Sequence, residues 1–229
     1  MRSPSPALVL FDIDGTLIRG AGPHHKQALV DAIRCVTGIE TTANGIPVHG
    51  MLDRDILTLM MQAGGLPVSR IRRVMPEIVQ RAQSMYARRC PDLREKTCPG
   101  VRALLGRLRR RGVPMGLVTG NLTRIGWMKM RRAGLYDHFR FGAFSEMARD
   151  RAGLARLAVR RAKQSGWIDG DALVTLIGDA PADILAARAN GIRSVAVETG
   201  LSLPADLATH SPDVQVADLR ALRLSTLLP

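Results

Sequence analysis

Residues 7–16 read Ala-Leu-Val-Leu-Phe-Asp-Ile-Asp-Gly-Thr. The apolar residues 7–11 form a short run rich in strand formers, and the run stops at Asp12. A continuous apolar run of this length is typical of a strand that is buried on both faces in a parallel sheet. Two carboxylates, Asp12 and Asp14, therefore follow the end of a buried strand, which is where open α/β sheets bind their ligands.

Similar apolar runs recur later in the chain and alternate with helical patterns. The runs cover residues 113–118, 139–144, 173–177 and 194–197. One helical pattern contains Val101, Leu104 and Leu108, and another begins at Pro181 and stops at Gly191. Strands that alternate with helices at this spacing favour right-handed crossovers. The sequence therefore predicts an α/β fold with a Rossmann-like, doubly wound parallel sheet as its core.

Residues 24–90 break this alternation, because they contain three helical patterns and no convincing strand. Each pattern has one apolar stripe, so the three helices are expected to pack together as a small bundle. We interpret this segment as an all-helical insert that follows the first strand. The predicted division of the chain is a Rossmann-like core at residues 1–19 and 97–229 and a helical insert at residues 20–96.

Composition and charge narrow the classes of function. The formal net charge is +13, but the basic residues are spread over many helical segments, and aromatic residues make up only 3%. Stacking platforms for single-stranded nucleic acids need aromatic side chains, so we do not expect a nucleic-acid partner. No apolar run approaches the length of a membrane-spanning helix, and the first residues do not resemble a signal peptide. We expect a cytoplasmic protein with no membrane partner, and the sequence leaves its oligomeric state open.

A second acidic pair follows a later strand, at Asp179 and Asp183. Either residue could simply cap the helix that begins near Pro181. Two strand ends that each carry two aspartates are better explained by a site for a hard cation. Mg²⁺ favours one or two carboxylates together with water and substrate phosphate, so we expect Mg²⁺ as the cofactor.

A third strand ends in Thr119-Gly120-Asn121 and leads into a helix. A hydroxyl and backbone amides at the N-terminus of a helix are suited to bind a phosphate. Thr119 and Asn121 are also common helix caps, so this segment alone is a weak indication.

Together these segments resemble the haloacid dehalogenase-like hydrolases, and the resemblance covers nearly the whole chain. The first motif of that family, Asp-x-Asp-Gly-Thr, is matched by residues 12–16, the second resembles the Thr119 segment, and the fourth resembles residues 178–183. The helical insert lies where the branch of phosphoglycolate phosphatase and β-phosphoglucomutase carries a cap domain. The resemblance thus implies that residues 20–96 are a cap.

The third motif departs from the family pattern, in which a lysine stands about one helix before the fourth motif. The corresponding stretch here contains Arg149 and Arg151, and the nearest lysine, Lys163, lies late in the helix. Arg151, at the start of the helix, is the better candidate, and Arg149 is the alternative. An arginine can bind phosphate in bidentate fashion, but it does not simply replace a lysine.

The resemblance implies that Asp12 is the nucleophile and forms an aspartyl-phosphate. Mg²⁺ would be held by the carboxylates of Asp12 and Asp179 and the backbone carbonyl of Asp14, with Asp183 supporting the metal through water or hydrogen bonds. Asp14 would also protonate the leaving alkoxide and then take a proton from water. Because a halide needs no proton, the presence of Asp14 favours phosphoryl transfer over dehalogenation.

The phosphate oxygens are expected to be held by Thr119, Gly120, Asn121 and Arg151. In related caps, a stretch like residues 48–54 faces the substrate, and Arg54 could contact an anionic substituent; a simple helix start capped by Asp53 is an equally good interpretation.

His24 and His25 are assigned no role, because adjacent histidines in a loop are usually exposed. The predicted function is hydrolysis of a small phosphorylated metabolite, with phosphoglycolate as a first choice. A phosphomutase and a non-catalytic binding module remain as alternatives.

Overall fold

A computed structural model describes residues 4–229. Its centre is a six-stranded, all-parallel sheet with the strand order β3-β2-β1-β4-β5-β6. The strands are β1 (Ser5–Phe11), β2 (Met115–Val118), β3 (Phe141–Ala143), β4 (Ile168–Gly178), β5 (Arg193–Val197) and β6 (Val214–Val216). The predicted α/β class with a doubly wound parallel sheet is confirmed. The strand β6 was not predicted, because it has only three residues, all of them partly exposed.

β1 is the central strand, and its side chains alternate between two apolar layers, as the pleat of a strand requires. Ala7, Val9 and Phe11 pack into one layer, and Leu8 and Leu10 pack into the other. All five are fully buried. Helices therefore cover both faces of the sheet, which explains why the run at residues 7–11 contains no polar residue.

Within residues 4–229, eight α-helices surround or extend from the sheet. They are α1 (His24–Thr37), α2 (Asp53–Ala63), α3 (Val68–Arg89), α4 (Val101–Arg110), α5 (Thr123–Arg132), α6 (Arg151–Gln164), α7 (Pro181–Ala189) and α8 (Pro204–Thr209). Among the described residues, 4–229, none of the helices is both long enough and apolar enough to span a membrane.

The three helices predicted for the insert are α1, α2 and α3. α1 ends where expected, because Gly38 adopts a left-handed backbone conformation with φ of 73° and its amide bonds back to the carbonyl of Arg34. The apolar stripes of all three helices join the same buried cluster as the face of β1 that carries Phe11. The helices thus stand over the carboxyl end of the sheet, and the bounds of a cap at residues 20–96 stay a prediction.

The register of the central strands positions the candidate site. Phe11 of β1 pairs with Leu117 of β2 on one side and with Ile177 of β4 on the other. The strand order reverses at β1, and such a switch point leaves a crevice beyond the carboxyl ends of the strands. The residues that follow Phe11, Leu117 and Ile177 therefore meet in one place.

Candidate active site

Three aspartates form a buried carboxylate cluster at the switch point. Asp12 follows β1, Asp179 follows β4, and Asp183 lies in the first turn of α7. One carboxylate oxygen from each lies within 4.8 Å of the others, and each residue is at most 5% exposed. Gly15, with φ of 85°, allows this packing, because a Cβ at that position would overlap the carboxylate of Asp179.

The carboxylate cluster has too few hydrogen-bond donors for all of its oxygens. Among the described residues, Oδ2 of Asp179 and Oδ1 of Asp183 are buried without a hydrogen-bond partner. Burial raises the pKa of Asp179, and the negative charges of Asp12 and Asp183 raise it further. Burial likewise raises the pKa of Asp183, although Arg151 opposes the shift. Buried carboxylates that are this close are stable together only with a proton or a cation, so the donor set fits a hard divalent ion such as Mg²⁺.

Arg151 is the cation of the protein that lies nearest to this cluster. It is the first residue of α6, which Asp150 caps by accepting a hydrogen bond from the amide of Gly153 at 2.7 Å. The guanidinium donates to Oδ1 of Asp12 at 3.0 Å and lies 3.4 Å from Oδ1 of Asp183. Arg149, the alternative from the sequence, is exposed and lines a different groove. The structure therefore brings Arg151, and not Arg149, to Asp12.

Asp14 points away from the carboxylate cluster toward a second buried cation, Lys129 of α5. The ammonium of Lys129 donates to both carboxylate oxygens of Asp14, at 2.8 and 2.6 Å. It also donates to Oδ1 of Asn121 at 2.6 Å and to Nδ1 of His25 at 3.1 Å. Burial raises the pKa of Asp14, but the charge of Lys129, the nearby His25 and the hydrogen bonds from Lys129 and Asn121 together outweigh it, so the pKa lies below its usual value.

The segment after β2, residues 119–123, lies between the carboxylate cluster and the pair of Asp14 and Lys129. The Thr119 hydroxyl and Oδ2 of Asp14 each accept a hydrogen bond of 2.8 Å from the amide nitrogen Nδ2 of Asn121. The backbone amides of residues 119, 121, 122 and 123 are already used in hydrogen bonds, to Ala143, Thr119, Asp53 and Glu146 respectively. Of the amides in this segment, that of Gly120 is left for a phosphate. The Asn121 side chain donates to Asp14, and its contact with phosphate stays a prediction.

The insert helices contribute two side chains to the same network. Nε2 of His25 lies 2.9 Å from Oδ2 of Asp53, which also accepts a hydrogen bond from the amide of Leu122 at 2.8 Å. Because an ammonium can only donate, Nδ1 of His25 accepts from Lys129 and the ring proton lies on Nε2. The amide of Asp53 donates to the carbonyl of Gly120 at 2.8 Å. The start of α2 is thus tied directly to the segment after β2, and the start of α1 is tied to it through Asp53.

The carboxylate cluster and the pair of Asp14 and Lys129 open into one cavity of about 220 Å³ between the sheet and the insert. Its polar lining includes Asp12, Asp14, Arg151 and His49. Nε2 of His49 lies 3.6 Å from Oδ2 of Asp179 and 2.8 Å from the hydroxyl of Ser202. Its apolar lining comes mainly from the insert, through Leu29, Val48, Met51 and Ile56. A Cβ at Gly120 would overlap the carbonyl oxygen of Met51, so the residue at position 120 has to be small for the insert to close over it.

The sequence matches the family model described as haloacid dehalogenase-like hydrolase over residues 6–191. The chain belongs to this family. The match confirms the resemblance inferred from the motifs, and it makes the protein a hydrolase by family membership.

Comparison with individual proteins finds relatives in sequence and structures that share the fold. The phosphoglycolate phosphatase of Pseudomonas fluorescens strain Pf0-1 is 30% identical over 229 residues, which cover 95% of this chain and 78% of that protein. The CbbY structure from Rhodobacter sphaeroides, in complex with phosphate, has a TM-score of 0.70 at 17% identity and covers 96% of this chain and 98% of its own. The β-phosphoglucomutase structure from Clostridium difficile has a TM-score of 0.69 at 18% identity, with 97% and 95% covered. These two structures share the fold of the hydrolase.

At several residues, the site of this hydrolase differs from what the sequence predicted. Arg54 does not line the cavity: it is exposed and lies beside Thr58 and Arg149, because successive residues at the start of a helix point in different directions. Its neighbour Asp53 faces the cavity instead. His25, to which the sequence analysis assigned no role, is part of the site.

Lys129 was not considered as a site residue at all. The sequence does carry a signal for it, because Lys129 follows Ile125 by four residues and so shares the buried stripe of α5 with an apolar residue. Only four lysines occur in the chain, which makes one on an apolar stripe more conspicuous.

Proposed function

We propose that this protein is a Mg²⁺-dependent phosphatase that hydrolyses a small phosphate monoester through an aspartyl-phosphate at Asp12. One observation carries the proposal: the carboxylate of Asp12 is buried beside the carboxylates of Asp179 and Asp183, accepts a hydrogen bond from the guanidinium of Arg151 and lines the cavity. A nucleophile placed between a cation site and a cation of the protein can approach a phosphate dianion, which a lone carboxylate would repel.

The carboxylates of Asp12 and Asp179 and the backbone carbonyl of Asp14 would hold the ion, and Asp183 would support it from beside Arg151. The unpartnered oxygens of Asp179 and Asp183 support this assignment, because a bound cation would compensate both of them. When bound, Mg²⁺ supplies the positive charge that offsets the repulsion between Asp12 and the phosphate.

In the first step, a carboxylate oxygen of Asp12 attacks phosphorus and the bond from phosphorus to the ester oxygen breaks. Arg151, the Thr119 hydroxyl and the amide of Gly120 hold the transferring oxygens. Asp14 gives a proton to the leaving alkoxide, which departs as an alcohol. In the second step, water attacks the aspartyl-phosphate, Asp14 takes a proton from that water, and inorganic phosphate and free Asp12 are formed.

Within this class, we propose phosphoglycolate as the first substrate to test. The relative from Pseudomonas fluorescens is named a phosphoglycolate phosphatase, and the cavity of about 220 Å³ favours an ester with a small leaving group. A phosphomutase of the β-phosphoglucomutase type is the second candidate, and the likeness of fold to the Clostridium difficile protein is the observation that favours it. A mutase would use the same aspartates but return the phosphoryl group to a sugar.

The deciding experiment is an assay of phosphate release from a panel of small phosphomonoesters, with Mg²⁺ or with EDTA. We expect release that requires Mg²⁺ and is lost in the Asp12→Asn variant. Asp137→Asn is the matched control, because Asp137 is exposed and does not line the cavity. Release that persists in Asp12→Asn would contradict the role of Asp12 as the nucleophile.

The same panel separates the alternatives. Isomerisation of a sugar phosphate that depends on a bisphosphate activator would identify a mutase. No metal-dependent turnover of any ester, in protein that is shown to be folded, would favour a non-catalytic binding module.

A further inference from the structure

Lys129 is a second buried cation in the site, and the mechanism above does not use it. It is 1% exposed, although it carries a charge, and its ammonium ends between the segment after β2 and the start of α1. A lysine is very seldom buried to this degree unless it is paired. Its partner is Asp14, whose side chain is 44% exposed and faces the cavity.

The ammonium of Lys129 has no donor to spare for a substrate. A lysine ammonium carries three N–H groups. Four acceptor atoms already share them: both carboxylate oxygens of Asp14, Oδ1 of Asn121 and Nδ1 of His25. The position beside Asp12, where a transferring phosphate would lie, is occupied by Arg151 instead. Binding of phosphate by Lys129 is therefore excluded by geometry in this state of the site.

We infer that Lys129 is a positioning residue that holds the carboxylate of Asp14 at the wall of the cavity, where the leaving group departs. The inference rests on the proposed function, because it assumes that Asp14 delivers a proton to that group. Asn121 contributes to the same hold, since it donates to Asp14 through Nδ2 and accepts from Lys129 through Oδ1. Asn121, from the segment after β2, and Lys129, from α5, thus fix the carboxylate of Asp14 together.

Lys129 also connects Asp14 to the insert. The connection runs from Lys129 to Nδ1 of His25, from Nε2 of His25 to Asp53, and from Asp53 to the amide of Leu122. Movement of the insert away from the sheet would break the contact between His25 and Lys129 and leave Asp14 with fewer constraints. The orientation of Asp14 is thereby linked to the closed position of α1 and α2.

The test compares two leaving groups in the Lys129→Met variant. An alkyl phosphate releases an alkoxide that needs a proton, whereas p-nitrophenyl phosphate releases a phenolate that leaves without one. We compare kcat/KM, which reports only the steps up to transfer of phosphate to Asp12. General acid catalysis contributes about 100-fold or more, so we expect kcat/KM to fall about 100-fold for the alkyl ester and less than about tenfold for the aryl ester. An equal loss with both esters would overturn the inference.

Two further variants tie the effect to Asp14. In an Asp14→Asn background, Lys129→Met should cause no further loss with the alkyl ester, because residues that act as one unit are not additive. A full additional loss would mean that Lys129 acts independently of Asp14. Lys163→Met makes the same chemical change at an exposed lysine and should leave both substrates unaffected.

Folding is checked by circular dichroism and by the midpoint of thermal unfolding. If Lys129→Met does not fold, Lys129→Gln replaces it, because an amide keeps hydrogen-bond donors near Asp14 without the charge. Failure of both variants to fold would assign Lys129 to stability and overturn the positioning role. A wild-type protein without turnover of either ester would instead overturn the proposed function, and the inference with it.

Discussion

Asp12 and Asp14 are separated by one residue, yet the negative charge of the carboxylates is balanced differently on the two sides of the cavity in which they lie. The side of Asp12 contains three buried carboxylates and one guanidinium, and oxygens of Asp179 and Asp183 lack a hydrogen-bond partner. The side of Asp14 contains one carboxylate whose two oxygens are both bound by Lys129. Correspondingly, burial raises the pKa of Asp179, whereas the pKa of Asp14 lies below its usual value.

The difference indicates which side depends on a component from outside the chain. Negative charge in excess at Asp12 fits a site that is completed by a cation and a phosphate. At Asp14, the protein supplies its own counter-ion, so the side chain is held in place before any ligand binds. The proposed reaction needs Asp14 to carry a proton in the first step and to be ionised in the second, and the contact with Lys129 favours the ionised state.

The largest expected effect distinguishes the two aspartates by the step that each one serves. Asp12→Asn should lose turnover by on the order of 10⁴-fold or more and form no phosphoenzyme, because the attacking oxygen is removed. Asp14→Asn should also turn over slowly, but it should still form the aspartyl-phosphate with an aryl ester. Mass spectrometry of acid-quenched protein measures this directly. A phosphoenzyme in Asp12→Asn, or its absence in Asp14→Asn, would contradict the assignment of roles.

The next effect concerns the excess negative charge beside Asp12. Mg²⁺ at about 100 times its dissociation constant should stabilise the wild type by about 2.7 kcal/mol, which corresponds to a rise in Tm of roughly 5–10 °C. Asp179→Asn should abolish this rise and should itself increase the Tm of the metal-free protein, because it removes one of three buried like charges. Asp137→Asn should retain the full response to Mg²⁺. A metal response that survives in Asp179→Asn would contradict the proposed ion site.

Arg151→Lys tests whether the guanidinium is needed beside Asp12. We expect kcat/KM to fall about 10–100-fold, because a single ammonium cannot bridge Asp12 and Asp183 as the planar guanidinium does. Steady-state kinetics with the best ester of the panel gives the value. Arg149→Lys, at an exposed residue two positions earlier, is the control. If the control lost as much activity as Arg151→Lys, the assignment of phosphate binding to Arg151 would be wrong.

The smallest effect is expected at Asp53, which is connected to Asp14 through His25 and Lys129. Asp53→Asn keeps an oxygen for the amide of Leu122 but replaces the carboxylate that accepts a hydrogen bond from His25 by a weaker, neutral acceptor. One such hydrogen bond contributes about 1 kcal/mol, so the Tm should fall by roughly 2–4 °C. Asp55→Asn, on the same turn of α2 but exposed, should change the Tm less. Equal effects of the two substitutions would show that the contact between His25 and Asp53 adds no stability.

The fold could be predicted because its decisive features are local in the sequence. The buried run at residues 7–11 and the helix-forming stripes of α1, α2 and α3 each follow from the periodicity of apolar residues. Parallel pairing then places the ends of β1, β2 and β4 at the same edge, whatever the details of packing. For this reason Asp12, Thr119 and Asp179, from distant parts of the chain, could be assigned to one site.

Other parts of the site depend on packing that no local pattern encodes. Lys129, His25 and Asp53 come from three different helices, and each by itself resembles an ordinary polar residue near a helix end or on a helix face. Their importance comes from burial next to Asp14, where low polarity strengthens a charge pair and makes an unpaired charge costly. Arg54 shows the converse, because its place in the stretch at residues 48–54 suggested a contact with the substrate, whereas its side chain is exposed and lines a different groove. Residue types and spacing thus determine the strand-end carboxylates, whereas the arrangement of helices around them determines which charges balance each one.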